Sequence, residues 1–228
     1  MQWNDEQQDV SRETFQNKVD MMDIARIAQD VEAREFAGMG SLKLVAPAKV
    51  NLYLNVKGLR EDGYHEVSTI MHTLMLHDVL RMKLVPGTGE PVQLTSRSYE
   101  GLEPLDVNPQ HNIVTKAIVR LAEAFGRELG ETETVRVHLE KHIPAQAGLG
   151  GGSSDAAAAL LGAAILWQES VLDPRIEQVA ATLGADVAFF LKGGCAQYDG
   201  IGEHFVRSLK ITNDFVVIVK PEGGVSTA

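Results

Sequence analysis

Between Ile143 and Leu161 the chain reads Ile-Pro-Ala-Gln-Ala-Gly-Leu-Gly-Gly-Gly-Ser-Ser-Asp-Ala-Ala-Ala-Ala-Leu-Leu, and this stretch limits the possible folds more than any other. Gly148, Gly150, Gly151 and Gly152 crowd four glycines into five positions, which frees the backbone for positive φ and for close approach to a ligand. Ser153, Ser154 and Asp155 follow, and then an alanine-rich run to Trp167 with Gly162 as its one breaker. Such a run predicts a helix. A glycine loop that opens a helix presents unpaired N–H groups and the positive end of the helix dipole, which together suit an anion, above all phosphate.

The loop is neither of the two commonest phosphate loops. G-x-x-x-x-G-K-[ST] fails because position 153 is serine and no lysine follows, and G-x-G-x-x-G counted from Gly148 ends on the same serine. The run Val135 to Leu139, in which Val135, Val137 and Leu139 alternate with Arg136 and His138, predicts a strand leading into the loop. A glycine-rich turn that binds nothing is the competing reading, and it ranks lower because one turn rarely needs four glycines and two serines.

Composition narrows the partner. The 228 residues include 21 Lys and Arg against 31 Asp and Glu, a formal charge of −10, which argues against binding a nucleic-acid backbone. A chain of this length buries ~70 % of its unfolded surface. A single cysteine, Cys195, excludes an internal disulfide, and no Cys/His set has zinc spacing. The apolar runs are too short for a bilayer and the N-terminus is acidic, so the expectation is a cytoplasmic protein with no membrane partner.

Residues 1–40 are polar and charged, with Phe15, Val19, Met22, Ile27 and Val31 at helical spacing, which predicts a helical or flexible extension. From Leu42 the period changes to two: Val50, Leu52, Leu54 and Val56 oppose Asn51, Tyr53, Asn55 and Lys57, as in a half-buried strand. Glu61-Asp62-Gly63 predicts a turn, and extended runs follow over 66–76, 79–84 and 92–95. Helices are expected from Asn112 to Phe125 and, behind Asp173-Pro174, up to Gly184. In Ala185-Asp186-Val187-Ala188-Phe189-Phe190-Leu191 a lone carboxylate sits in an apolar run and needs a partner or a role. Residues 193–202 read as turns, and Phe215 to Val219 as a buried strand stopped at Pro221.

Four segments taken together resemble the small-molecule kinases of the galactokinase, homoserine kinase, mevalonate kinase and phosphomevalonate kinase group: Pro47-Ala48-Lys49-Val50-Asn51-Leu52, Asp62-Gly63-Tyr64-His65-Glu66, the glycine loop from Pro144, and Leu183-Gly184-Ala185-Asp186-Val187. Gly200-Ile201-Gly202-Glu203 adds a weaker fifth. The resemblance implies an α+β fold, the N-terminal domain of that superfamily (ribosomal protein S5 domain 2-like), over residues 41–220, with 221–228 starting the connection to a second domain that has no equivalent here. It implies ATP and Mg2+, and an acceptor that is a cytidine diphosphate sugar-alcohol phosphorylated at its 2-hydroxyl in isoprenoid precursor synthesis independent of mevalonate. Residue by residue it implies Lys49 and Asp186 as the catalytic pair. Pro144, Gly148, Leu149, Gly150, Gly151, Gly152, Ser153 and Ser154 would bind ATP with Asn112 at the adenosine. Asn51 would lie near the accepting end of the substrate, Tyr64 and His65 would hold the cytidine, and Ser154 is the candidate Mg2+ ligand.

The physical requirements agree with these roles. Phosphoryl transfer asks a protein to position reactants and neutralise charge, and a carboxylate beside a cation stays ionised as a base. A buried Lys49–Asp186 pair serving only the fold is the structural alternative. Ala188 departs from the proline the group commonly carries there, and an expected consequence is a looser turn around Asp186. Two other functions stay open from the residues: another small-alcohol kinase of the group, which would bind no cytidine, and a non-catalytic nucleotide-binding fragment.

Overall fold

The computed structural model describes residues 40–59, 63, 65–99, 102, 108–210 and 215–220. The extension expected over 1–40, apart from Gly40, and the connection at 221–228 lie outside them, as does Tyr64.

One strand organises the sheet. β2 (His65–Pro86) pairs antiparallel from His65 to Lys83 with β1 (Ser41–Leu59). Its other edge is shared: β4 (Glu133–Lys141) takes Val79 to Pro86, and β5 (Cys195–Asp199) takes Thr69 to His72, both antiparallel. β3 (Val92–Ser98) adds to β4 in parallel and β6 (His204–Ser208) to β5 in antiparallel. The order β3-β4-β2-β5-β6, with β1 on β2, is a mixed sheet. Among the described residues four helices cover it: α1 (Ile113–Phe125), α2 (Gly151–Leu166), α3 (Pro174–Leu183) and α4 (Ala185–Lys192). This is the α+β architecture expected.

α2 is the central element. Every residue from Ser154 to Ala164 is buried, as a helix apolar on all sides must be. Its alanines let it lie between the sheet and α1, α3 and α4. The approach is closest at Gly162, where an added Cβ would fall 2.5 Å from Met82 Sδ and 2.9 Å from Leu44 Cδ1. Gly162→Val is therefore expected to lower stability by about 1–3 kcal/mol through overpacking. A urea midpoint equal to that of the parent chain would show that the helix and sheet have room at this point.

Asn112 and Asp173 cap α1 and α3 through their side chains, and Pro174 opens α3, as the sequence indicates. Four expectations need correction. The extended runs 66–76 and 79–84 are one strand, because Asp78, which looks like a break, is fully buried within it. Leu52, Leu54 and Val56 are not on a half-buried face: they are 53, 57 and 55 % exposed, since the outer part of β1 pairs only with β2 and is not covered by the helix layer. The glycine-rich stretch 193–202 contains β5, whose Cys195, Ala196 and Tyr198 pack into the core. Phe215 to Val219 forms no strand and is exposed, for no strand among the described residues pairs with it.

Candidate active site

The glycine loop is held from beneath. β4 ends at Lys141 and α2 begins at Gly151. Ile143 and Leu149, near the two ends of the connection, are buried together with Ala48 of β1. The Leu149 carbonyl accepts the Lys49 N–H at 2.9 Å, which ties the loop to β1. Gly150 takes φ +71°, and a Cβ there would meet the Phe190 ring at 2.9 Å and Lys49 Cγ at 3.0 Å. Glycine is thus required twice, for its conformation and for the close approach. Gly150 is also the N-cap of α2 and supplies no side-chain cap, so the first-turn amides keep the orphan donors that favour an anion.

Lys49 follows Pro47, which has no N–H for the ladder, and the β1–β2 register slips between Pro47 and Lys49. The bulge releases the Lys49 amide to the loop. The Lys49 ammonium is buried, 2.7 Å from Asn51 Oδ1 and 3.4 Å from Asp186 Oδ2. Asn51 in turn donates to Thr69 Oγ1 at 2.7 Å, and Thr69 donates to the Tyr53 carbonyl at 2.9 Å. That relay fixes the Asn51 carboxamide with its oxygen toward Lys49. Asp186 stands in the first turn of α4, where the helix dipole favours a carboxylate, and its side chain is 37 % exposed against 8 % for Lys49. The turn forms with Ala188 in place: the Val187 N–H donates to the Gly184 carbonyl at 3.1 Å.

Lys49, Asn51, Asp186 and the loop from Leu149 to Gly150 therefore meet at one place. Pro144, Gly148, Gly151, Gly152, Ser153 and Ser154 complete the same loop and helix start, and Ser154 Oγ is buried with no hydrogen-bond partner. Asn112 is buried as the N-cap of α1, its oxygen accepting the Val114 N–H at 2.9 Å. α1 and α2 start side by side, since a Cβ on Gly152 would lie 3.9 Å from Ile113 Cγ2. His65 is exposed at the start of β2, while the partner of Lys49 in the register is Thr73. The turn at Gly200–Glu203 bridges β2 and α4: its Gly200 carbonyl accepts the Val67 N–H at 2.7 Å, and a Cβ on Gly202 would lie 3.6 Å from Ala185 Cβ.

One cluster is absent from the sequence reading. Asp78, Lys141 and Asp155 are buried beneath the loop; Lys141 donates to Asp78 and, at 2.6 Å, to Asp155. The other oxygen of Asp78 accepts the N–H groups of His142 and Ile143 at 2.5 and 2.8 Å. Burial pushes the Asp155 carboxyl up to about 8, with Lys141 opposing and Asp78 reinforcing the shift. Burial acts to lower the Lys141 ammonium, but the two carboxylates outweigh it and its pKa is raised. Because folding raises the Asp155 value from 3.8, the folded state holds this proton more tightly. Stability from this group is full below about pH 4 and declines as pH rises toward about 8. Asp155→Asn is expected to flatten that slope in urea midpoints measured from acid to mildly alkaline pH, and an unchanged slope would assign it elsewhere.

Residues 112–194 match the family model described as the GHMP kinases N terminal domain. That stretch carries the N-terminal domain of the GHMP kinases. The chain is similar to curated proteins named 4-diphosphocytidyl-2-C-methyl-D-erythritol kinase. The relative from Desulfitobacterium hafniense (strain Y51) is 38 % identical over 187 residues, covering 82 % of this chain and 59 % of the relative. That from Thermoanaerobacter pseudethanolicus (strain ATCC 33223 / 39E) is 40 % identical over 189 residues, covering 83 and 61 %. This chain thus spans about 60 % of the length of such relatives. A crystal structure of 4-(cytidine 5'-diphospho)-2C-methyl-D-erythritol kinase superposes with a TM-score of 0.57 at 39 % identity, over 73 % of this chain and 55 % of that one. The L. major mevalonate kinase in complex with R-mevalonate, at 16 % identity over 72 and 50 % of the two chains, shares the fold with a TM-score of 0.54. Among the described residues no helix is long and apolar enough to cross a membrane, and no three His, Cys, Asp or Glu side chains group as a metal site.

Proposed function

We propose that this chain is the nucleotide-binding part of an ATP-dependent kinase that phosphorylates the 2-hydroxyl of 4-diphosphocytidyl-2-C-methyl-D-erythritol in non-mevalonate isoprenoid precursor synthesis. One observation carries the reading: Lys49 binds the glycine loop through its backbone N–H and reaches Asn51 and Asp186 through its ammonium. Phosphate-binding amides and an acid–cation pair are thereby brought to a single residue. Amides at the start of α2 hold the β- and γ-phosphates. Asp186 accepts the proton of the attacking hydroxyl, or orients that hydroxyl, and Lys49, 3.4 Å away, holds the carboxylate in place. Asn51, its orientation set by Thr69, borders the accepting carbon.

Mg2+ would neutralise charge on the transferring phosphoryl group. The residues fit it at one point: the unpartnered Ser154 hydroxyl is a neutral oxygen of the type this ion takes and would hold it. His65 begins β2 eight positions from Thr73, a separation of about 25 Å in a straight strand. A substrate lying along the β1–β2 ribbon toward it must be elongated, as a nucleoside diphosphate ester is, and Tyr64 and His65 are the residues we assign to its cytosine end.

ADP release with Mg-ATP, in the presence and absence of 4-diphosphocytidyl-2-C-methyl-D-erythritol, tests the reading. Substrate-dependent ADP, competed by CMP or CDP, is the expected result. ADP release that millimolar CDP leaves unaffected would transfer the protein to another small-alcohol kinase, and binding of ATP without turnover would leave a nucleotide-binding unit.

A further inference from the structure

The cluster beneath the loop has a geometry that the catalytic reading does not use. Asp78 lies on β2 and takes the backbone N–H groups of His142 and Ile143, where the connection leaves β4. Asp155 lies on α2, just past the point where the connection ends. Lys141, the last residue of β4, bonds to both. These three side chains therefore close a bridge across the base of residues 142–154. The bridge passes directly under the helix start, since a Cβ on Gly151 would lie 3.4 Å from Asp78 Oδ2. Two carboxyl groups and one ammonium, all buried, are a poor source of stability, because apolar side chains of similar volume commonly do as well or better. Such a cluster is better suited to fixing one arrangement of the elements that carry it.

We propose that Lys141 is a positioning residue: bonded at once to Asp78 and Asp155, it locks the first turns of α2 against β4 and so aims the amides of Gly151 to Ser153 at the nucleotide phosphates. The proposal rests on the reading of the loop as a nucleotide site. The bond from Lys141 to α2 is the working part, so an acceptor at 155 matters and a charge there does not. Asp155→Asn keeps that acceptor, whereas Asp155→Leu removes it at similar volume.

The test measures Mg-ADP affinity by calorimetry, the thermal midpoint, and amide hydrogen exchange over residues 148–154. Asp155→Asn, the conservative variant, is expected to hold affinity within about twofold. Asp155→Leu is expected to lose about tenfold or more in affinity and to exchange its loop amides about tenfold faster, with a midpoint no lower than that of the parent chain. Lys141→Met/Asp155→Asn removes the same bond while leaving Asp78 on its two backbone donors, and must show the same loss. Parental affinity and exchange in Asp155→Leu would overturn the proposal. Failure of both bond-removing variants to fold would also overturn it, by assigning the cluster to the fold. If the parent chain binds no Mg-ADP the nucleotide reading fails by itself, and the loop exchange rates alone then decide whether the bridge holds the loop.

Discussion

Asp186→Asn is expected to lower turnover by roughly 10²–10⁴-fold, the usual contribution of a positioned base, while Mg-ATP affinity stays within about threefold. Among the described residues this carboxylate is the acidic group paired with the Lys49 ammonium, and asparagine keeps its size but cannot take a proton. A purely structural ion pair makes the opposite forecast, since removing one partner of a buried pair leaves a charge uncompensated and costs about 3–5 kcal/mol. The geometry weighs against that outcome. Asp186 is 37 % exposed and stands 3.4 Å from Lys49, whereas Asn51 is closer at 2.7 Å and remains with the ammonium in the variant. A partly solvated pair of this kind contributes on the order of 1 kcal/mol or less, so the thermal midpoint is expected to stay close to the parent value. Turnover retained with stability lost would make Lys49–Asp186 a fold contact and remove the base from the mechanism.

The parts of this site that lie close together in sequence were legible, and the parts that depend on distant pairing were not. Glycines at 148 and 150–152 followed by alanines announce a loop and a buried helix whatever surrounds them, and the structure has both. Lys49 and Asp186 carry no local sign of their meeting; the family resemblance paired them, and the structure sets them 3.4 Å apart. Asp78 is the opposite case. A carboxylate after Leu76-His77 looks like the end of a strand, because an unpaired charge inside a sheet is prohibitively costly. Its partner Lys141 is 63 positions away, so the compensation is invisible until the chain is folded. β5 was hidden by the glycines around it: Gly193, Gly194 and Gly200 have positive φ and form turns, but Cys195–Asp199 between them is long enough to pair with β2. Leu52 to Val56 shows the converse error. Alternation fixes which residues share a face of a strand, but whether anything covers that face is a property of the helix layer.

Gly150→Ala and Gly148→Ala separate the two reasons for glycine in the loop, and the first is expected to be far more damaging. Both residues have left-handed backbone, φ +71° and +69°, so an alanine at either position pays a similar conformational cost of about 1–2 kcal/mol. Around Gly148 nothing lies within 4 Å of an added Cβ. At Gly150 the same atom would press on the Phe190 ring and on Lys49 Cγ, at 2.9 and 3.0 Å. Relief requires the loop to lift from β1, which stretches the 2.9 Å bond between the Lys49 N–H and the Leu149 carbonyl, or requires Lys49 and α4 to shift. Either movement separates the amides at the start of α2 from the Lys49–Asp186 pair, and a displacement of ~1 Å between reacting groups can cost ~10²-fold. Gly150→Ala is thus expected to reduce kcat/KM by about 10²-fold, and Gly148→Ala by less than about tenfold, with the lower thermal midpoint in Gly150→Ala, where overpacking adds about 1–3 kcal/mol to the shared backbone cost. Equal kinetic losses would mean that backbone conformation alone accounts for the glycines. A loss confined to KM in Gly150→Ala would place the damage in nucleotide binding, whereas a loss in kcat would show that the contact between loop and Lys49 aligns the transferring phosphoryl group with Asp186.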